Sequence, residues 1–158
     1  MSKTYRKQQE QQPLATTESE LPTSRLIAVY YRQSTEGQIG NISTTIQTVD
    51  MVDYLEKLGW NNDSILMIDM DGGISGAKKI DERPGMSHLF DLITDRRIGA
   101  VACQDEDRLF RDVTQIQVNI FIEACRSNDV TVLTPSMVYQ FANPTLYAFH
   151  ARQFRFKC

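Results

Sequence analysis

The sequence LIAVYY at residues 26–31 is a short, nearly continuous apolar run, which is typical of a strand covered on both faces. Three later runs share this character, at residues 64–68, 98–103 and 130–133. Stretches with helical spacing of apolar residues separate them, at residues 41–58, from Pro84 onward and at residues 113–126. Strands that alternate with helices predict right-handed crossovers. We therefore expect an α/β fold, a mostly parallel sheet with helices on both faces.

Several residues predict where the helices begin and end. Ser43 is suited to N-cap the helix over residues 41–58, and Gly59 is suited to the position that follows its last turn. Pro84 fits the first turn of the second helix, where its missing N–H is not needed. Asn143 and Pro144 predict the start of a further helix with aromatic residues on more than one face, which would need packing partners on more than one side. We expect the chain to break off inside that helix.

The composition is that of one globular domain with a polar tail. The chain has 158 residues, 41% hydrophobic and 23% charged, which is enough for a single core. Residues 1–24 contain almost no large apolar groups, so we expect a disordered tail. No apolar run is long enough for a membrane span or a signal peptide. The three cysteines show no metal-like spacing, and their odd number argues against a disulfide framework, so we expect a reducing, cytoplasmic location.

The charge balance limits how a nucleic acid could be bound. The formal net charge is −3, whereas counterion release on a polyanion needs clustered Lys and Arg. A protein that acts on DNA would therefore obtain most of its affinity from a partner or from another part of the protein.

Polar side chains follow the first three strands. Ser34 follows the first, a glycine-bearing loop over residues 69–83 follows the second, and Asp107 and Arg108 follow the third. The carboxyl ends of parallel strands meet at one edge of a sheet, where such folds carry their sites. We therefore expect the arginines to reach the serine.

Arginine around a serine is suited to phosphate chemistry. Arg32 is two residues from Ser34 and on the same strand face, and Arg108 and Arg111 are expected three apart on the first turn of a helix. Guanidinium groups bind phosphate oxygens bidentately and stabilise a pentacoordinate transition state. Taken singly, the serine is more simply a turn residue and the arginines a surface cluster with nearby acids, worth about 0–1 kcal/mol a pair. Together, on one sheet edge, they favour a phosphate site.

Several motifs in order resemble the serine site-specific recombinases, in particular the catalytic domain of large serine integrases and transposases. The resemblance covers about residues 25–137. It consists of Tyr30-x-Arg32-x-Ser34, then the segment from Ser43 to Gln47, then Asp71-x-x-x-Ser75-Gly76 with Arg83-Pro84-Gly85, and finally Asp107-Arg108-Leu109-x-Arg111-Asp112. One such motif is a weak signal, whereas four in the family's order are a strong one.

The resemblance implies a mechanism. Ser34 would attack a DNA phosphodiester, release the 3′ hydroxyl and hold the 5′ end as a phosphoserine ester, and four subunits would exchange and religate the ends. Neither a cofactor nor a metal would be needed. Phosphate binding and activation would fall to Arg32, Arg83, Arg108 and Arg111, supported by Gln47 and Asp107. Asp107 would either orient an arginine or take part in proton transfer.

The resemblance also implies partners and further parts. The substrate would be double-stranded DNA attachment sites, and the full-length protein would form a homodimer and a homotetramer, with no membrane involved. Residues 138–158 would be a linker and the start of a long dimerisation helix, with a DNA-binding domain beyond Cys158. Glu106 departs from the pattern, because its negative charge beside the arginine motif would weaken phosphate binding.

Two other functions fit parts of the sequence. Asp69 and Asp71 resemble the aspartate motif of metal-dependent phosphatases of the haloacid dehalogenase type, although Gly73 replaces the usual threonine. Alternatively, the domain is a non-catalytic, flavodoxin-like module whose loop over residues 69–79 binds a phosphate ligand.

Overall fold

The computed structural model describes residues 21–32 and 41–158, without the side chains of residues 41–49. Within them one sheet contains five strands: β1 Leu26–Tyr30, β2 Ile65–Ile68, β3 Ile98–Ala102, β4 Thr131–Thr134 and β5 Met137–Tyr139. Their order is β2-β1-β3-β4-β5, with every neighbouring pair parallel except β4 and β5. The predicted mostly parallel α/β sheet is confirmed. The short antiparallel β5 was not predicted, since three residues after a tight turn leave little periodicity to detect.

Five α-helices connect or follow these strands in the described part of the chain. They are α1 Asn41–Leu58, α2 Pro84–Thr94, α3 Glu106–Leu109, α4 Ile116–Ser127 and α5 Tyr147–Lys157. Two 3₁₀ turns, Asn62–Ser64 and Ile80–Glu82, precede β2 and α2.

The two ends of α1 compare differently with prediction. The helix begins at Asn41, so Ser43 lies inside its first turn and is not the N-cap. Its end is as predicted: Gly59 has a φ of 116°, its N–H donates to Glu56 O, and the N–H of Trp60 donates to Leu55 O. These two bonds are those of a Schellman motif, which satisfies carbonyls that the helix leaves unpaired.

The helix predicted over residues 113–126 begins later, at Ile116, because an aspartate organises the turn before it. The carboxylate of Asp112 accepts hydrogen bonds from the Thr114 and Gln117 N–H groups, and Gln115 adopts a positive φ of 64°. The preceding helix α3 ends at Leu109, so Arg111 lies outside it and the expectation that Arg108 and Arg111 share a helical turn is wrong.

The last helix also starts later than predicted. Asn143 accepts a hydrogen bond from the Thr145 N–H through its side chain and caps a turn rather than the helix, which begins at Tyr147. His150, Ala151 and Phe154 are buried against the rest of the domain, while Phe149 and Phe156 are exposed.

The core has one layer on each face of the sheet. Ala28 and Tyr30 of β1 pack in a cluster with α2, α4 and α5, whereas Ile27 and Val29 pack in a second cluster with α1. Alternate residues of a strand face opposite sides, so helices cover both faces, as predicted.

The second cluster includes a residue from the predicted disordered tail. Leu21 is 8% exposed and packs in this cluster together with Trp60, whose indole N–H donates to Arg25 O. The fold therefore includes residues 21–24, because Leu21 has an apolar surface to bury against. Residues 1–20 lie outside the described residues.

Cys103 and Cys125 are buried free thiols, as expected for core residues. None of the helices in the described ranges is long and apolar enough to cross a membrane.

Candidate active site

The candidate site lies where β1, β2 and β3 end. Arg32 follows β1, the loop containing Asp71 follows β2, and α3 with Arg108 follows β3. The predicted nucleophile Ser34 lies outside the described residues. Gln47 lies in α1, but its side chain is also outside them. The structure therefore describes the arginine and aspartate part of the predicted site.

Arg32 joins the loops that follow β1, β2 and β3. Its side chain donates to three backbone carbonyls, with Nε 3.0 Å from Arg108 O, Nη2 2.9 Å from Asp107 O and Nη1 3.2 Å from Ile74 O. The residue is 4% exposed, and this burial lowers the pKa of its guanidinium, while the nearby charge of Arg83 acts in the same direction. Arg32 thus fixes the loops around the site rather than presenting an open guanidinium to a ligand.

Arg108 and Arg111 are the more accessible cations. Arg108 Nη1 lies 3.4 Å from Arg32 O and the residue is half-buried. Arg111 is held by its backbone, whose N–H donates to Gly76 O at 2.9 Å, while its side chain is 56% exposed and lies 3.5 Å from the Asp107 carboxylate. The structure brings Arg32, Arg108 and Arg111 together, as the sequence predicted.

Arg83 is in a different environment from the one expected. Its side chain is completely buried; Nη2 donates to the Tyr30 hydroxyl at 2.7 Å, and Nε lies 3.7 Å from Asp71 Oδ2. The guanidinium also lies 5.3 Å from the centre of the Phe110 ring. Two of its nitrogens, Nε and Nη1, make no hydrogen bond with the described residues. In this arrangement a phosphate has no access to Arg83.

Asp71 has a structural role at this site that the sequence did not predict. It is fully buried and accepts hydrogen bonds from the Tyr30 hydroxyl and from the N–H groups of Gly85 and Met86, at 2.5, 2.5 and 2.9 Å. It therefore caps the N-terminus of α2 from the preceding loop and neutralises Arg83. Burial is the main reason that the pKa of Tyr30 is raised, which keeps its hydroxyl protonated as a donor to Asp71.

A glycine permits this cap. A Cβ at position 85 would lie 2.9 Å from Asp71 Cγ, closer than such atoms pack. The sequence does show aspartates in a loop followed by Pro-Gly at the start of a helix, which is compatible with such a cap. It does not indicate which of the aspartates makes the cap.

The two acids of the arginine segment point in different directions. The Asp107 carboxylate is 43% exposed and lies beside Arg111, and its Oδ1 makes no hydrogen bond with the described residues. Glu106 is 4% exposed and turned away, accepting a hydrogen bond from the Tyr139 hydroxyl. The expectation that Glu106 adds negative charge beside the arginines is therefore wrong.

The two alternative functions gain no support from this geometry. Asp69 is exposed and Asp71 is fully engaged with Tyr30, Arg83 and α2. Among the described residues, no group of three or more His, Cys, Asp or Glu side chains could hold a metal. The loop over residues 69–79 contributes Ile74 O to Arg32 and Gly76 O to Arg111, so it closes the arginine site.

Comparison with known proteins agrees with this architecture. The family model described as Resolvase, N terminal domain matches residues 27–151. The N-terminal catalytic domain of TP901-1 integrase has a TM-score of 0.62 at 22% identity, covering 83% of this chain and 92% of that one. A resolvase family site-specific recombinase from Streptococcus pneumoniae has a TM-score of 0.60 at 14% identity, covering 84% and 87%.

A third solved structure is the C-terminal catalytic domain of ISC1926 TnpA, an IS607-like serine recombinase, with a TM-score of 0.55 at 19% identity and 68% of each chain covered. No curated protein sequence matches the chain.

Proposed function

Because the chain belongs to the resolvase N-terminal domain family, we propose that this serine recombinase catalytic domain cuts and rejoins DNA through Ser34. The oxygen of Ser34 attacks a backbone phosphorus, and the bond from phosphorus to the 3′ oxygen breaks. The proton lost by the serine is matched by one gained by the leaving 3′ hydroxyl. The 5′ end stays bound as a phosphoserine ester, and the reverse attack by a 3′ hydroxyl restores the backbone.

One observation carries the assignment of the nucleophile: Arg108 Nη1 approaches the carbonyl oxygen of Arg32, two residues before Ser34. The accessible arginines thus lie beside Arg32, the residue from which the chain continues toward the proposed nucleophile. A phosphate held there would receive bidentate hydrogen bonds from guanidinium groups as charge develops on its oxygens.

The arginines have different roles in this proposal. Arg108 and Arg111 contact the phosphate, while Arg32 holds the loops that carry them. Arg83 supports the site through Tyr30 and Asp71, and would contact phosphate only after a rearrangement. Asp107 orients Arg111, from which its carboxylate is 3.5 Å away. Gln47 supports the phosphate from α1.

The partners follow from the same family. The substrate is DNA, and we propose double-stranded attachment sites bound by homodimers that pair into homotetramers. Exposed apolar side chains on α4 and in the turn before it support such contacts between copies, since Ile116 and Ile120 of α4 are 59% and 46% exposed and Val113 is 96% exposed. An acidic net charge of −3 fits a domain whose DNA affinity comes mainly from elsewhere in the protein. Work on DNA would take place in the cytoplasm.

The domain limits are proposed accordingly. We propose that the catalytic domain reaches beyond the limits of 25–137 expected from the sequence, since Leu21 belongs to its core and β5 Met137–Tyr139 to its sheet. The residues after β5 then form a linker and the start of a long dimerisation helix. The family match continues to residue 151, and α5 already packs on the catalytic domain through His150 and Phe154.

The test is the covalent intermediate. The intact recombinase is incubated with double-stranded DNA that carries its attachment sites, and the reaction is quenched with SDS. We expect a protein–DNA adduct from the wild type and from Ser127→Ala, a serine at the far end of α4, and none from Ser34→Ala. DNA binding by Ser34→Ala should be nearly unchanged. Equal adduct from Ser34→Ala would exclude Ser34 as the nucleophile.

A further inference from the structure

A buried carboxylate lies behind the arginine segment and has no part in the reaction proposed above. Glu106, the first residue of α3, is 4% exposed. Its Oε2 accepts a hydrogen bond from the Tyr139 hydroxyl of β5 at 2.8 Å and lies 3.5 Å from Lys157 Nζ in the last turn of α5. A buried carboxylate is stable only when it is paired and hydrogen-bonded. Glu106 therefore connects α3 to both β5 and α5.

The backbone of the same residue makes a second connection. The carbonyl oxygen of Glu106 accepts the Phe110 N–H at 3.2 Å, which closes the single turn of α3, and lies 3.7 Å from the thiol sulfur of Cys158. Both polar ends of Glu106 thus face the C-terminal end of α5.

The opposite side of α3 holds the site. The carbonyls of Asp107 and Arg108 accept the side chain of Arg32, and Arg108 Nη1 returns to the carbonyl of Arg32. Glu106 and Arg108 are two residues apart in this single turn, so the contacts with β5 and α5 and the contacts with Arg32 act on the same four residues.

We infer that Glu106 is a positioning residue through which the last turn of α5 sets the place of α3, and hence of Arg108, relative to the nucleophile. The catalytic consequence rests on the function proposed above, whereas the mechanical link does not. Coupling between two sites is reciprocal. A change that releases Lys157 loosens the arginine segment, and a phosphate that fixes the arginines strengthens the packing of α5.

The first measurement uses this chain without DNA. Amide hydrogen exchange is compared in the wild type, Lys157→Met, Glu106→Gln and Arg152→Met, with the Phe110 amide as the reporter. Arg152 is the matched control, because it is a basic, exposed residue of the same helix. Losing this partly exposed ion pair should speed exchange at Phe110 roughly two- to fivefold in Lys157→Met and in Glu106→Gln. The control, and the Asn128 amide at the end of α4, should not change.

The second measurement uses the intact recombinase with its DNA. Lys157→Met and Glu106→Gln should each slow formation of the serine adduct roughly tenfold at saturating DNA, with an unchanged Kd, as expected when only the transition state loses support. The double variant should be no slower than Glu106→Gln, since residues that act through one contact are not additive. A Lys157 that acted by touching DNA would instead weaken binding and would slow the Glu106→Gln background further.

The outcomes separate the two proposals. Unchanged exchange at Phe110 in both Lys157→Met and Glu106→Gln overturns the role of Glu106. A double variant that forms the adduct more slowly than Glu106→Gln alone overturns it as well. Lack of any adduct from the wild type removes the proposed function, while the exchange measurement still decides whether Glu106 holds α3. Lys157 has a 43% exposed side chain and Glu106→Gln preserves shape, so both variants are expected to fold.

Discussion

At the scale of residues, Arg83 and Arg111 differ in the environment of their guanidinium groups, since one is buried and the other is exposed to solvent. Arg83 is sealed in the core against Asp71 and Tyr30, while more than half of the Arg111 side chain is exposed. A sequence motif gives both the same weight as phosphate ligands. Burial distinguishes them: the charge of Arg83 is needed by Asp71, and the charge of Arg111 is available to a ligand.

We expect alanine at these two positions to have contrasting effects. Arg83→Ala leaves the buried Asp71 charge unpaired and should lower the free energy of unfolding by about 3–5 kcal/mol. Arg111→Ala should lower it by no more than about 1 kcal/mol, yet slow adduct formation by about 10²–10³-fold if Arg111 stabilises the transition state. Urea denaturation and the adduct rate measure the two effects. An Arg111→Ala protein that unfolds as readily as Arg83→Ala would show that Arg111 is structural.

How far the site could be predicted also depends on individual residues. Arg32, Arg108 and Arg111 were expected at one sheet edge, because parallel strands end together, and the structure brings them there. The capping role of Asp71 could not be predicted, since it depends on a loop folding back over α2. The direction of Glu106 could not be predicted either, because it depends on Tyr139 and Lys157, which come more than thirty residues later.

At the scale of elements, helix boundaries depend on local hydrogen bonds. Gly59 ends α1 as the sequence indicated. Its positive φ favours a residue without a side chain, and in this conformation the N–H groups of Gly59 and Trp60 donate to two carbonyls of the last turn. The starts of α4 and α5 were predicted three residues too early. In each case a side chain, of Asp112 or of Asn143, hydrogen-bonds a turn that competes with the helix. Apolar periodicity does not detect such competition.

Gly59→Ala should destabilise the domain by about 1–2 kcal/mol, since a side chain is strained at positive φ. A Cβ there would also meet Thr23 Cγ2 at 3.3 Å. The matched control is Gly72→Ala, where a Cβ would have nothing within 4 Å and φ is not positive, so little change is expected. Midpoints of thermal and urea unfolding give the comparison. Equal losses for the two variants would contradict a specific role for Gly59.

At the scale of the whole molecule, the class of fold followed from alternating apolar runs and helical stretches, since that pattern allows few topologies. The exact limits of the domain could not be predicted from that pattern. Leu21 belongs to the core because a surface beside Trp60 accepts it, and no local pattern around residue 21 shows this.

The stability of the whole domain should depend on pH through a buried histidine in α5. Burial lowers the pKa of His150, whose Nδ1 accepts the Gln140 N–H at 2.9 Å and must therefore be unprotonated. The folded pKa lies below the unfolded value of about 6.5, so the unfolded state binds the proton more readily. The contribution of His150 to the free energy of unfolding is therefore complete above about pH 6.5. It declines as the pH falls from the unfolded pKa toward the lower folded pKa.

We expect the free energy of unfolding to be lower at pH 5 than at pH 7.5, with a smaller difference in His150→Gln. His88→Gln is the control, because the other histidine of the chain is exposed. Urea titrations at both pH values measure the effect. A pH difference that is unchanged in His150→Gln would assign it to other groups.

The position of Trp60 gives the molecule its own optical reporter. It is the single tryptophan of the chain, 2% exposed, and lies where Leu21, α1 and the start of β1 meet. Its fluorescence should be emitted at short wavelength in the native state and shift to the red when the indole meets water. Detachment of the segment around Leu21 while the rest stays folded would appear as an early step in the emission, ahead of the loss of helical circular dichroism.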